Sequence, residues 1–170
     1  MTSSAGFIGF VVDGVQKIAY CEGECRPSEV GVRVLDFLSS WGEDPALAQV
    51  VRSLHVVYPG QRPTGEEAEH LGRYVRRHGR SDSLGMPSAI LAEGVIEDAS
   101  DIALRSLSWG FLIDLDRRTL QFFDRSLDRA SAIWWLDELP DEDELLTSLA
   151  DSASGEQAAK AESASNVPAA

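Results

Sequence analysis

The sequence predicts an α+β fold: an antiparallel or mixed sheet built on two hairpins, with a block of helices packed on it. Three observations carry this. The chain opens on two β-rich runs, Phe7 to Val12 and Val15 to Tyr20, joined by Asp13-Gly14. A second pair, Trp109 to Leu115 and Thr119 to Asp124, is joined by Asp116-Arg117-Arg118. Between the pairs, apolar residues recur at helical spacing, and no regular βαβ alternation of a doubly wound fold is visible.

Asp-Gly between strand-like runs is a strong hairpin signal. A type I′ turn needs φ > 0 at both central residues, and Asp and Gly tolerate it. Strands are expected at 6–12 and 15–20. Gly23 and Pro27 mark a loop. Ser28 is placed to cap a helix over 28–41, whose stripe is Val30, Val34, Leu35, Phe37, Leu38 and Trp41, with Gly42 just beyond. Asp44-Pro45 starts a second helix with Leu47, Val50, Val51 and Leu54 on its apolar face. The stretch from His55 to Gly60 turns extended. Thr64 caps a third helix, acidic at Glu66 and Glu67 and basic at Arg73, Arg76, Arg77 and His78, which complements the helix dipole. A short helix is expected near 87–93. Residues 131–136 extend the sheet, and 141–149 form a last helix.

The chain has 170 residues, 44% hydrophobic and 25% charged, which suits one α+β domain over 1–150. From Asp151 the composition shifts to Ala, Ser and charge. Such a segment buries too little apolar area to offset ordering entropy, so 151–170 is expected to be a disordered acidic tail. Residues 141–170 carry −6 of the formal net charge of −13. Duplex binding depends on neutralising phosphates with Lys and Arg, so no direct nucleic-acid partner is expected. No apolar run approaches the roughly 18 residues of a membrane span. The start MTSSAGF lacks a basic, cleavable signal, so the expected setting is cytoplasmic, with no membrane partner.

Chemistry has few places to sit. Cys21 and Cys25 are too few for a disulfide scaffold and have neither redox nor paired zinc spacing. Neither a metal nor another cofactor is expected. His55, His70 and His78 stand in no paired motif, and no nucleophile motif accompanies them. The aromatic residues Trp109, Trp134 and Trp135, with Phe122 and Phe123, are candidates for a partner surface. Neighbours on a strand point to opposite faces, so a sheet covered on one face exposes one of each adjacent pair. Arg73 to Arg80 is the densest basic cluster. Arg76 and Arg77 are its candidate binding residues, against a reading in which they only complement the helix end.

Gly9-Phe10, Asp13-Gly14, Lys17 and Tyr20, followed by Pro27-Ser28 and Gly31, resemble the opening of a widespread bacterial and phage family of uncharacterised proteins. Trp109-Gly110-Phe111, Ile113 to Asp116 and Leu120 resemble its later strand pair. The resemblance implies a fold in which the first hairpin is central, and it carries no reaction. After Tyr20 the family commonly has a polar, aromatic-rich stretch, whereas Cys21 and an acidic loop follow here.

Two readings of function result. The first is a non-enzymatic binding module for a protein, a small molecule or a second copy of the chain. The second is a small hydrolase or transferase using the Tyr20–Arg26 loop, with Lys17, Tyr20, Cys21, Cys25 and Arg26 as candidate residues. Strand alternation places Lys17 with residue 19 and Tyr20 with Ile18, which separates two of these.

Overall fold

The computed structural model describes residues 6–21, 26–41, 45–58, 61–62, 64–69, 87–99, 108–124 and 129–152. The first hairpin pairs β1 (Gly6–Val12) with β2 (Val15–Cys21) in the register Val12↔Val15 to Gly6↔Cys21. Asp13 and Gly14 lie at φ 52° and 73°, as a type I′ turn requires. Helix α1 (Pro27–Trp41) begins one residue before Ser28, so Pro27 takes the first helical position and Ser28 does not cap. Helix α2 (Ala46–Ser53) starts after Pro45, which stands at the cap position. The stretch after it forms β3 (His55–Val57).

Residues 65–69 are helical (α3). Thr64 and Glu67 form a capping box there: the Thr64 N–H donates to Glu67 Oε2 (2.6 Å), and the Glu67 N–H donates to Thr64 Oγ1 (3.3 Å). Glu67 Oε1 also pairs with His55 Nε2 at 2.5 Å, which ties this helix start to β3. The basic end of the expected helix, with Arg76 and Arg77, lies outside the described residues.

Helix α4 (Pro87–Glu93) ends at Gly94, whose φ of 71° turns the chain into β4 (Val95–Glu97). Strand β4 lies parallel to β3, a pairing that neither short run announces in sequence. The Ala99 N–H donates to Ile18 O (3.0 Å), so the segment leaving this small sheet abuts β2.

The main sheet has the order β2-β1-β5-β6-β7, with β5 (Trp109–Asp114), β6 (Thr119–Asp124) and β7 (Ala132–Trp135). It is mixed: β1 and β5 are parallel neighbours and the other pairs are antiparallel. The fold is therefore α+β, and the parallel pairing of β1 with β5 joins its two hairpins into one sheet. Glycines let aromatic rings lie across the central pair. A Cβ on Gly110 would fall 1.8 Å from the Phe7 ring, and one on Gly6 would fall 2.4 Å from the Trp109 ring.

Both faces of the sheet centre are buried. On one face Ile8, Phe10, Ala19, Phe111, Leu120 and Phe122 meet α1, α2 and Leu145 and Leu149 of the final helix (α5, residues 142–152). Asp141 caps α5 by accepting from the Glu144 N–H (2.8 Å). On the other face Phe7, Val11, Ile18, Leu112 and Phe123 pack with Ala99. Phe122 and Phe123 are thus both buried, one on each face. At the outer strand β7 this cover stops: Ile133 and Trp135 are 59% and 60% exposed. Of the expected tail over 151–170, residues 151 and 152 are helical, since α5 runs to 152, and 153–170 lie outside the described residues. Among the described residues no helix is long and apolar enough to cross a membrane.

Candidate functional site

Because β1 and β5 run parallel, the turns that follow them lie side by side at one edge of the sheet. Asp116 of the β5–β6 turn ties them together. Its Oδ1 accepts from the Asp13 N–H (2.9 Å) and its Oδ2 from the Gly14 N–H (2.7 Å). Asp13 in turn accepts from Arg52 Nε (2.6 Å) and Nη2 (3.1 Å), a two-point pair that reaches the end of α2. The Arg52 hydrogen bond holds the Asp13 carboxyl below its ordinary pKa.

Lys17 fixes the same helix end from beneath. It is buried on the α2 side of the sheet, and its Nζ donates to Val51 O (2.8 Å), Arg52 O (2.9 Å) and Leu54 O (2.6 Å). All three ammonium protons are committed to carbonyls at the C-terminal end of α2, where the helical ladder runs out, and Val51 O also accepts from the Leu54 N–H (3.2 Å). Burial lowers the Lys17 pKa, and repulsion from Arg52 adds to this. The carbonyl dipoles act the other way and favour the charged form. A lysine held like this is a helix clamp with no proton to spare for a substrate.

The opposite end of α2 borders a cleft of about 360 Å³. Leu38 and Ser39 of α1, Pro45, Leu47 and Ala48 at the start of α2, Leu115 and Arg118 of the β5–β6 turn, and Leu136, Asp137 and Leu139 after β7 line it. The turn sets its rim. Asp114 Oδ1 accepts from the Arg117 N–H (2.9 Å), and Arg118 stands at φ 56°, a left-handed conformation that Gly or Asn adopts more readily. The Arg118 carbonyl accepts from the Leu136 N–H (2.9 Å), and its guanidinium pairs with Asp137. Most lining residues are aliphatic, and this ion pair adds charge to the lining.

The residues singled out in sequence do not converge on this cleft. Lys17 and Cys21 share the main core face, and Cys21 is 0% exposed. Tyr20 is half-buried against the other face. Arg26 is exposed at the start of α1, and Cys25 lies outside the described residues. Lys17, Tyr20 and Cys21 are thus split between two faces, as strand alternation dictates. Trp109 is 2% exposed and packs edge-on against Phe111, so it is a core residue with no surface for a partner. Trp134 is half-buried against the main core, and only Trp135 of the three is well exposed.

The cleft residues were missed as a site. Leu38 and Leu47 read as ordinary helix stripes, and Arg118 as a turn residue. The one usable signal was a non-glycine residue at the end of a tight hairpin loop. Among the described residues, no group of three His, Cys, Asp or Glu side chains is placed to hold a metal ion. Comparison with protein-family models, with curated proteins and with solved structures finds no match.

Proposed function

We propose that the chain is a non-enzymatic binding module and that the cleft between α1, α2 and the β5–β6 turn holds its partner. The observation that carries this is the composition of the cleft. Its volume lies in the range of sites that take a small molecule or a few side chains, and seven of its ten lining residues are aliphatic, while Ser39 and the Arg118–Asp137 pair make about half of its exposed surface polar. No Ser, Cys or His with a neighbouring base lines it; Ser39 is its one hydroxyl. The reading of the Tyr20–Arg26 loop as a hydrolase or transferase site draws less support. Its lysine is committed to three backbone carbonyls, and the thiol of Cys21 is sealed in the core.

The test is a titration of the isotope-labelled full chain with N-acetyl-leucinamide and N-acetyl-tryptophanamide, followed by NMR. Shifts at Leu38, Leu47, Leu115 and Leu136 that vanish in Ser39→Trp are expected. Ser39 is an exposed position from which a ring fills the cleft without entering the core. Shifts confined to Tyr20 and Arg26, or none at any concentration, refute the proposal.

A further inference from the structure

We infer that the partner of this cleft is a basic protein segment that inserts bulky aliphatic side chains, an inference that rests on the cleft being the binding site. The ground is the charge around it. The wall formed by Leu136, Asp137 and Leu139 belongs to the stretch 136–144, which holds Asp137, Glu138, Asp141, Glu142, Asp143 and Glu144 and no Lys or Arg. All six acids are exposed.

Among the described residues, Arg52, Arg117 and Arg118 at this end of the sheet do not offset them, because each faces an acid of its own. Arg52 pairs with Asp13, Arg117 lies 3.9 Å from Asp114, and Arg118 pairs with Asp137. Among the described residues, these pairings leave Glu138, Asp141, Glu142, Asp143 and Glu144 as exposed negative charge, on the segment whose Leu136, Asp137 and Leu139 line the cleft. The acids of α5 also favour its N-terminus, but such a role does not remove their field from solvent.

An acidic partner would be repelled here. A neutral apolar molecule would gain nothing from the strip. A segment with Lys or Arg flanking Leu-like anchors matches both features, with the anchors supplying affinity and the charges supplying orientation and encounter rate.

Fluorescence anisotropy of the full chain with a short labelled peptide of repeating Lys-Lys-Leu-Leu tests this. Three control peptides replace Leu by Ser, Lys by Ser, and Lys by Glu. The Lys/Leu peptide is expected to bind. Its affinity falls about 100-fold or more when Leu becomes Ser, as loss of several buried aliphatic groups requires. It falls about tenfold between low and high salt, and similarly in Glu138→Gln/Glu142→Gln, because exposed charges are screened. Ser39→Trp abolishes it while leaving the far-ultraviolet circular dichroism unchanged.

Equal binding of the peptide in which Ser replaces Lys overturns the basic partner and leaves the cleft as the site. Tighter binding of the Glu-containing peptide does the same and points to Arg118 instead. Equal binding of the peptide in which Ser replaces Leu, undiminished by Ser39→Trp, shows charge attraction alone and overturns the inference. Absence of binding by all four peptides overturns the inference and the cleft reading together.

Discussion

Lys17→Met separates a structural lysine from a catalytic one. Methionine keeps the aliphatic stem in its place between β2 and α2 and removes only the ammonium. Three carbonyls then lose their donor. Val51 O and Leu54 O make their bonds to Lys17 in buried surroundings, whereas Arg52 O is partly open and can turn to water. A buried acceptor left without a partner costs about 1–3 kcal/mol. Val51 O keeps the Leu54 N–H at 3.2 Å, so its loss is incomplete. Relief from burying a cation offsets part of the remainder. The expected loss is therefore about 2–3 kcal/mol, which for a chain of this size lowers the melting temperature by roughly 4–12 °C. Urea denaturation followed by circular dichroism measures it. Lys17→Arg recovers less than half, because a planar guanidinium cannot direct donors at three carbonyls converging on one point. Peptide binding by Lys17→Met, measured well below its melting temperature, stays within about twofold of wild type. A stability loss under about 0.5 kcal/mol, the usual range for a surface substitution, refutes the clamp.

Three further outcomes follow from the same edge and from the central strand pair. Gly110→Ala drives a methyl into the Phe7 ring and costs about 2–4 kcal/mol by expelling a side chain now 1% exposed. The double variant Phe7→Ala/Gly110→Ala costs no more than Phe7→Ala alone, and strict additivity in denaturant midpoints contradicts the close approach. Arg118→Gly relieves a left-handed backbone worth about 1 kcal/mol and loses an exposed ion pair worth about 0–1 kcal/mol. It leaves stability unchanged or raised, whereas Arg118→Ala keeps the strain and lowers it; the same urea titrations decide between them. Asp13→Asn keeps a residue tolerant of φ 52° and removes the charge that Arg52 holds. The Asp13 pKa is lowered on folding, so its contribution is present above its unfolded value near pH 4 and is lost as pH falls through the folded value. Wild type and Asp13→Asn therefore differ in denaturant midpoint at about pH 7 and converge on acidification; a gap that widens toward acid reverses the assigned sign.

Local chemistry made much of the fold legible. Asp13-Gly14 specified its turn because few residues tolerate two successive positive φ values. The stripe Val30, Val34, Leu35, Phe37 and Leu38 specified α1 and its buried face. Strand β6 was legible at both ends, from the β-rich run Thr119 to Asp124 and the turn before it. What stayed hidden was long-range. Strands β3 and β4 are three residues each, too short for a period to show. The parallel pairing of β1 with β5 joins segments about a hundred residues apart, and no turn residue signals it. Its specificity lies in shape: Gly6 receives the Trp109 ring and Gly110 receives Phe7, a match visible only once the strands are side by side. The burial of Trp109 and Cys21 follows from that pairing and from the helices above it. Neither residue differs in sequence from one that meets a partner.

Lys17 shows why site residues were harder to read than elements. In sequence it was a charged residue on a strand, which suggests solvent or chemistry. Its environment is set by α2, whose carbonyls arrive above β2 from more than thirty positions away. The parallel pairing that escaped detection is also what builds the cleft. It brings the Asp13-Gly14 turn beside the β5–β6 turn, where Asp116 links them and Arg118 closes one wall. Reversing the direction of β5 would carry that turn to the opposite edge of the sheet and leave the start of α2 facing solvent. The cleft is thus a property of strand direction, and the acids of 136–144 bear on it only through Leu136, Asp137 and Leu139, which that direction sets in its wall.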